Sequence, residues 1–153
     1  MDSSTSTSEV GSEVADLVAA SALLFRAGGN LYGCNIGDAQ EIIPLRPMTR
    51  LPGAPPFVRG LINMRGTIVT VLDLAVRLDP TRAPVTDGSI LLVRYHDRIV
   101  GVIVEEVADV RVLDVETRDE HGNGGIVRGV AMVDDAPVVL LDFETMIQQV
   151  LLA

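Results

Sequence analysis

With 153 residues and a formal charge of −9, the chain fits one domain or two small halves sharing a core, and it should bury roughly 68–70% of its unfolded surface on folding. A single cysteine, Cys34, excludes an internal disulfide, and five aromatic residues in an acidic chain exclude the basic stripe and stacking rings of a nucleic-acid surface. No disulfide scaffold and no nucleic-acid partner are therefore expected.

The opening "MDSSTSTSEV" lacks the basic region and apolar run of a signal peptide, which together with the lone cysteine points to the cytoplasm. The longest candidate for membrane insertion, Val14 to Leu24, carries Asp16 and falls below the roughly 20 apolar residues of a spanning helix. Residues 1–20, rich in Ser, Thr, Glu and Asp, read as a disordered tail, because so little apolar surface cannot offset the entropy of ordering them.

From residue 21 onward, short apolar runs rich in Val, Ile and Leu alternate with turn residues, the pattern of an all-β domain. In chain order the runs include "ALLFRA", "TIVTVLDL", "SILLVRY", "RIVGVIVEEV" and "APVVLLDF". Between them lie Gly28-Gly29-Asn30, "RLPGAPPF", "DPTRAPVTDG" and "RDEHGNGG", each with the Gly, Pro, Asp or Asn that turns use. Two helical pieces are expected: about one turn from Asp73 in "DLAVRL", and "ETMIQQVLL" at the C-terminus, with Asp142 placed to cap its first turn.

The chain also resembles itself. Residues 23–45 lie over 91–113 at an offset of 68 and residues 58–74 over 127–143 at 69, with about a quarter of the aligned positions identical and most of the rest exchanging one apolar residue for another. This predicts two β units in tandem, about 21–79 and 88–150, each opening with a hairpin that turns at Gly28-Gly29 or His96-Asp97. Each would end in a strand leaving through Leu-Asp into a short helix. Units of about five strands are marginal alone and should pack together, with the groove between them the natural place for a partner.

The repeat separates two Arg-Gly pairs. Arg59-Gly60 recurs as Arg128-Gly129, so its cause reads as architectural, a backbone angle or close approach that only glycine allows. Arg65-Gly66 instead aligns with Asp134-Asp135, so the turn does not require an arginine. Arg65 is then either a solvated turn residue or an anchor for an acidic or carbonyl-bearing partner. Glu41, in "QEIIPL", recurs as Asp109 and reads as an internal ion pair, a cap or a site.

Little else suggests chemistry. His96 lies in a turn, His121 lies in the polar loop "DEHGNGG", and Cys34 sits beside apolar residues with no histidine near it in sequence. Metal sites need three or four converging ligands, so no metal and no cofactor are expected, and "GNGG" lacks the Lys-Ser/Thr of a phosphate cradle. An enzyme built on dispersed carboxylates is the remote alternative.

"EIIPL", "LPGAPPFVRGLINMRGTIV", "VLDL", "VGVIVEEVADV", "VRGVA" and "VVLLDF" resemble, in order and spacing, the CheW-like coupling proteins of bacterial chemotaxis, over about residues 21–150. The resemblance implies two packed five-stranded, SH3-like β-barrels and no catalytic residues. It implies two partners, the regulatory domain of the chemotaxis histidine kinase and the cytoplasmic tip of chemoreceptors, with recruitment to membrane-associated receptor arrays. Arg65 occupies the arginine of the family's Asn-Leu-Arg-Gly, here Asn63-Met64-Arg65-Gly66, and Glu41 the acid of its Glu-Ile strand end. These five residues are the expected partner-binding set, while Gly60, Gly129, Asp73 and Asp142 are expected to be structural. A related scaffold of another receptor–kinase pathway, such as surface motility, and a competitor within the array are the alternatives. The chain departs from the family at Thr70-Val71, at Val104-Glu105 and at the loop "DEHGNGG", so contacts near those loops are not carried over.

Overall fold

The structure is a computed structural model and describes residues 17–117 and 122–152. Ten strands form two five-stranded sheets: β1 Leu17–Ala27, β2 Asn30–Asn35, β3 Ala39–Pro44, β4 Val58–Met64, β5 Thr67–Asp73, β6 Ser89–Tyr95, β7 Arg98–Val104, β8 Glu106–Thr117, β9 Val127–Val133 and β10 Ala136–Leu141. Two helices follow the fifth and tenth strands, α1 Leu74–Leu78 and α2 Phe143–Leu152. The order of elements therefore repeats, five strands and a helix twice. Hairpin turns fall at Gly28-Gly29 and at His96-Asp97.

One sheet closes into a barrel in the order β1-β2-β10-β9-β8, and the other runs β3-β6-β7-β5-β4. The two five-stranded sheets expected are present, and each is woven from both repeats, taking a hairpin from one and three strands from the other. The chain changes sheets at matching places, through a 3₁₀ turn at Ile36–Asp38 in the first repeat and at Glu105 in the second. "RIVGVIVEEV" is accordingly two strands rather than one. Its break at Glu105 is held by the Glu105 backbone N–H donating to the Arg26 carbonyl at 2.8 Å. At the other end of the chain, Leu17–Ala20 continue β1 and pair with Leu113–Glu116, so these four residues of the expected 1–20 tail are strand; residues 1–16 and His121 lie outside the described residues.

Three apolar clusters follow from this weave. Ala22, Leu24, Leu113, Val115, Val138 and Leu140 fill the barrel, and Ile62, Val69, Val71, Ile90, Leu92 and Ile103 fill the second sheet. The largest cluster lies between them, with Phe25, Cys34, Leu72, Leu91, Val102 and Phe143 all at 4% exposure or less. Between the units, where a groove is expected, both sheets and α2 bury their inner faces, and the Phe25 and Phe143 rings stack at 5.9 Å. Burial pushes the Cys34 thiol up to about 12, consistent with a packing role.

Asp73 is the one buried charged residue among those described. Its carboxylate accepts from the Val76 backbone N–H at the start of α1, from the Val85 N–H and from the Arg59 guanidinium at 3.0 Å. A buried acid with this many donors is satisfied and holds the helix entry, the hairpin base and the connecting loop together. Asp142 plays the same part for α2, accepting from the Thr145 N–H and hydroxyl.

Candidate functional site

The repeated Val-Arg-Gly has a local cause visible in both sheets. Arg59 and Arg128 each sit where the strand register slips by one residue against the partner strand, so each is the extra residue of a bulge. The glycine that follows lies under the segment that closes the sheet. A Cβ on Gly60 would stand 2.4 Å from the Thr49 carbonyl oxygen, and one on Gly129 would stand 2.5 Å from that of Glu116. Thr49, in the loop after β3, forms an isolated antiparallel bridge to Leu61 of β4, and Glu116 forms the matching pair with Val130 in the barrel.

Arg65 and Gly66 form the two-residue turn between β4 and β5, with φ of 53° and 88°. Two positive φ values define a turn that suits Asn, Asp and Gly, and Asp134-Asp135, with φ of 51° and 66°, obeys the rule in the other sheet. An arginine in the left-handed region is disfavoured on backbone grounds. Its place is stabilised by two contacts: the Gly66 N–H donates to the Asn63 side chain at 2.9 Å, and the Arg65 guanidinium donates in bidentate fashion to Glu41 at 3.1 and 3.0 Å.

Two residues read separately from the sequence, Arg65 and Glu41, are therefore one unit. Both are solvent-accessible, with Arg65 at 74%, and the pair overhangs a depression of about 390 Å³ floored by Val69, Leu92 and Ile99 with Met64 at its side. This is an apolar floor with a charged rim, set on paired strands rather than on a mobile loop. Arg46 joins the constellation from the loop after β3, donating to the Asn63 carbonyl at 2.7 Å and lying 3.3 Å from the Met64 sulfur. Its sequence context, "PLRPM", reads only as a proline-flanked loop and carries no signal of that contact.

The matching positions in the barrel use other chemistry. Asp109 and Asp134 stand where Glu41 and Arg65 do, and Arg111 lies between them, 3.3 Å from one and 3.4 Å from the other. Each hairpin tip is thus tied to its neighbouring strand by charge, directly in one sheet and through a third residue in the other.

The hydrogen bonds from Arg65 hold the Glu41 carboxyl below the usual carboxylate range. A group whose folded pKa is depressed contributes stability above its unfolded pKa and loses it as pH falls through the folded value. In an NMR titration the Glu41 side chain should therefore have a midpoint below that of an unfolded-chain glutamate, and Arg65→Ala should raise it. Equal midpoints in the two proteins would mean that the pair does not form in solution.

The chain is similar to proteins already known. The CheW-like domain matches residues 21–151. The chemotaxis protein CheW of Rhizobium meliloti is 30% identical over 132 residues, 80% of this chain and 84% of that protein. That of Klebsiella aerogenes is 34% identical over 95 residues, which span 61% of this chain and 57% of the relative. Protein PilI of Pseudomonas aeruginosa is 31% identical over 98 residues, 63% of this chain and 55% of PilI. Among solved structures, the scaffolding protein TtCheW from Thermoanaerobacter tengcongensis superposes with a TM-score of 0.73 at 28% identity, covering 81% of this chain and 89% of that one.

Proposed function

This chain belongs to the CheW-like family, and from that premise we propose that it is a non-enzymatic chemotaxis adaptor that couples chemoreceptors to a histidine kinase, with the Arg65–Glu41 tip as part of its binding surface. The observation that carries the assignment of the tip is the cost accepted at Arg65. A turn whose backbone favours Asn, Asp or Gly holds an exposed arginine instead, and its twin in the barrel shows that the fold is content with aspartate there.

The adaptor works by position. The charged tip stands on a two-residue hairpin continuous with the second core, so a partner gripping it grips a rigid body, and the guanidinium can exchange Glu41 for a partner's carboxylate or carbonyl without rebuilding its donors. Asn63, Met64 and Gly66 shape the tip around that side chain. The role in the cytoplasm at receptor arrays belongs to the same proposal; no helix among the described residues is long and apolar enough to cross a membrane.

Arg65→Asp tests the assignment cleanly, because aspartate suits the left-handed turn and should leave the melting temperature nearly unchanged. Binding to a purified kinase regulatory domain and to a receptor-tip fragment should weaken by roughly tenfold or more for at least one of them, the size expected of an interface anchor. Unchanged affinity for both would remove Arg65 from the site.

A further inference from the structure

The depression beneath the Arg65–Glu41 tip has Gln40 on its β3 side and Met64 on its β4 side, and an arginine stands against each. Arg94 donates to the Gln40 side-chain oxygen at 2.9 Å. Arg46 lies 3.3 Å from the Met64 sulfur while donating to the Asn63 carbonyl. Both arginines are exposed, and neither makes an ion pair among the described residues. Their acceptors are neutral, so each keeps its full charge, and a guanidinium has five N–H donors of which these bonds use few. Glu41 is the one acid lining the depression among the described residues, and Arg65 already neutralises it. The rim is left with two uncompensated cations, one on either side of the apolar floor.

The fold does not ask for these charges. At the offsets of the repeat, Arg46 and Arg65 become Asp114 and Asp134, and Arg94 alone keeps its sign, as Arg26. The same three positions thus carry three arginines around one mouth and one arginine with two acids in the other sheet. The charge of the whole unit agrees with the local pattern. Residues 39–104, which hold the second sheet, contain eight arginines and five acids in a chain whose net charge is −9. A local excess of this sign draws acidic partners to this end of the molecule and turns basic ones away.

The floor sets the rest of the chemistry. Val69, Leu92 and Ile99 are apolar, and about 390 Å³ lies at the small end for a binding cleft, so it takes one side chain rather than a run of them. Arginine clusters recognise acidic motifs through charge-assisted hydrogen bonds, and an apolar anchor in a pocket supplies the complementary part of such an interface.

Resting on the reading that the Arg65 tip is a binding surface, we propose that its partner presents an acidic segment with one apolar side chain of leucine or methionine size. That side chain enters the depression, and carboxylates on both sides of it meet Arg46 and Arg94.

The test titrates the full chain with an acetylated, amidated pentapeptide, Glu-Glu-Leu-Glu-Glu, and follows the backbone amide resonances. Shifts should centre on Gln40, Glu41, Met64, Arg65 and Ile99, and rising salt should weaken the wild-type complex. The double variant Arg46→Gln, Arg94→Gln should lose at least tenfold in affinity and most of the salt dependence, with its own amide spectrum reporting that it is folded. Lysine in place of the glutamates should abolish binding, and glycine in place of leucine should weaken it at least tenfold. Unchanged affinity in the double variant, equal binding of the glycine peptide, or shifts confined to the other sheet would each overturn the proposal. If Arg65→Asp weakens the kinase or receptor fragment while the double variant binds the peptide normally, this inference fails and the tip's assignment stands. If the peptide behaves as expected while both fragments ignore Arg65→Asp, the chemistry of the site stands and its assignment to those partners fails.

Discussion

Cut between Thr86 and Asp87, the chain should yield two fragments, 1–86 and 87–153, neither of which unfolds cooperatively alone, and an equimolar mixture should regain a single transition. The reason lies in strand order. In the second sheet β6 and β7 lie between β3 and β5, so the first fragment keeps only the β4–β5 pair of that sheet, and β3 has no neighbouring strand. Of the barrel it keeps the β1–β2 hairpin, without β8, β9 and β10. Isolated hairpins are marginal in water, and the largest apolar cluster, which takes Leu72 and Phe25 from one fragment and Leu91, Val102 and Phe143 from the other, cannot form in either. Circular dichroism melts of the fragments and the mixture decide the matter. A cooperative transition from a monomeric single fragment would contradict the interwoven arrangement.

The second large effect concerns one methyl group. Gly60→Ala should destabilise the protein by about 3 kcal/mol or more, since overpacking against a fixed neighbour costs about 1–3 kcal/mol and a strained backbone about 1–3 kcal/mol. The neighbour is the Thr49 carbonyl 2.4 Å away, and φ is +150°. Because Thr49 also exchanges two backbone hydrogen bonds with Leu61 of β4, at 3.0 and 2.8 Å, relief by moving it would break that bridge. In a chain of this size the loss corresponds to roughly 10 °C in melting temperature. Gly129→Ala meets a similar oxygen at 2.5 Å and should also destabilise. Gly53→Ala is the control, with φ of +79° and nothing within 4 Å, and it should lose only about 1 kcal/mol. If Gly60→Ala melts with Gly53→Ala, the crossing segment is not what retains the glycine.

Much of this was legible in the residues. Turns at Gly28-Gly29 and His96-Asp97, the aspartates at the heads of both helices and the five-strand repeat are local features, written in side chains that act on their own neighbourhood. Strand exchange was not legible, because self-similarity reports which segments are alike and is silent on which ones pair. The switch points, Ile36–Asp38 and Glu105, carry no residue that demands a change of sheet. The filled space between the units did leave a trace. Ile90 to Val93 form an unbroken apolar run, and all four are buried, with Leu91 and Val93 facing the shared cluster while Ile90 and Leu92 face the sheet's own core. A strand with one wet face would have alternated. At the site, the types of Arg65 and Glu41 were readable and their pairing was not, since they are 24 residues apart and meet only through the register of three other strands.

The exchange of hairpins at Ile36–Asp38 and Glu105 also describes a symmetry. One repeat alone has the parts of half a swapped dimer: it gives its first hairpin away and needs its partner's in return, which is the exchange by which identical protomers interlock. In those terms the molecule is such a dimer, with the two protomers spliced through the segment between α1 and β6 into a single chain. Splicing frees the two copies from having to stay identical. One tip carries Glu41 with Arg65, and the other carries Asp109 and Asp134 with Arg111 between them. A symmetric dimer must offer every partner the same surface twice, whereas this chain offers two different surfaces on one plan.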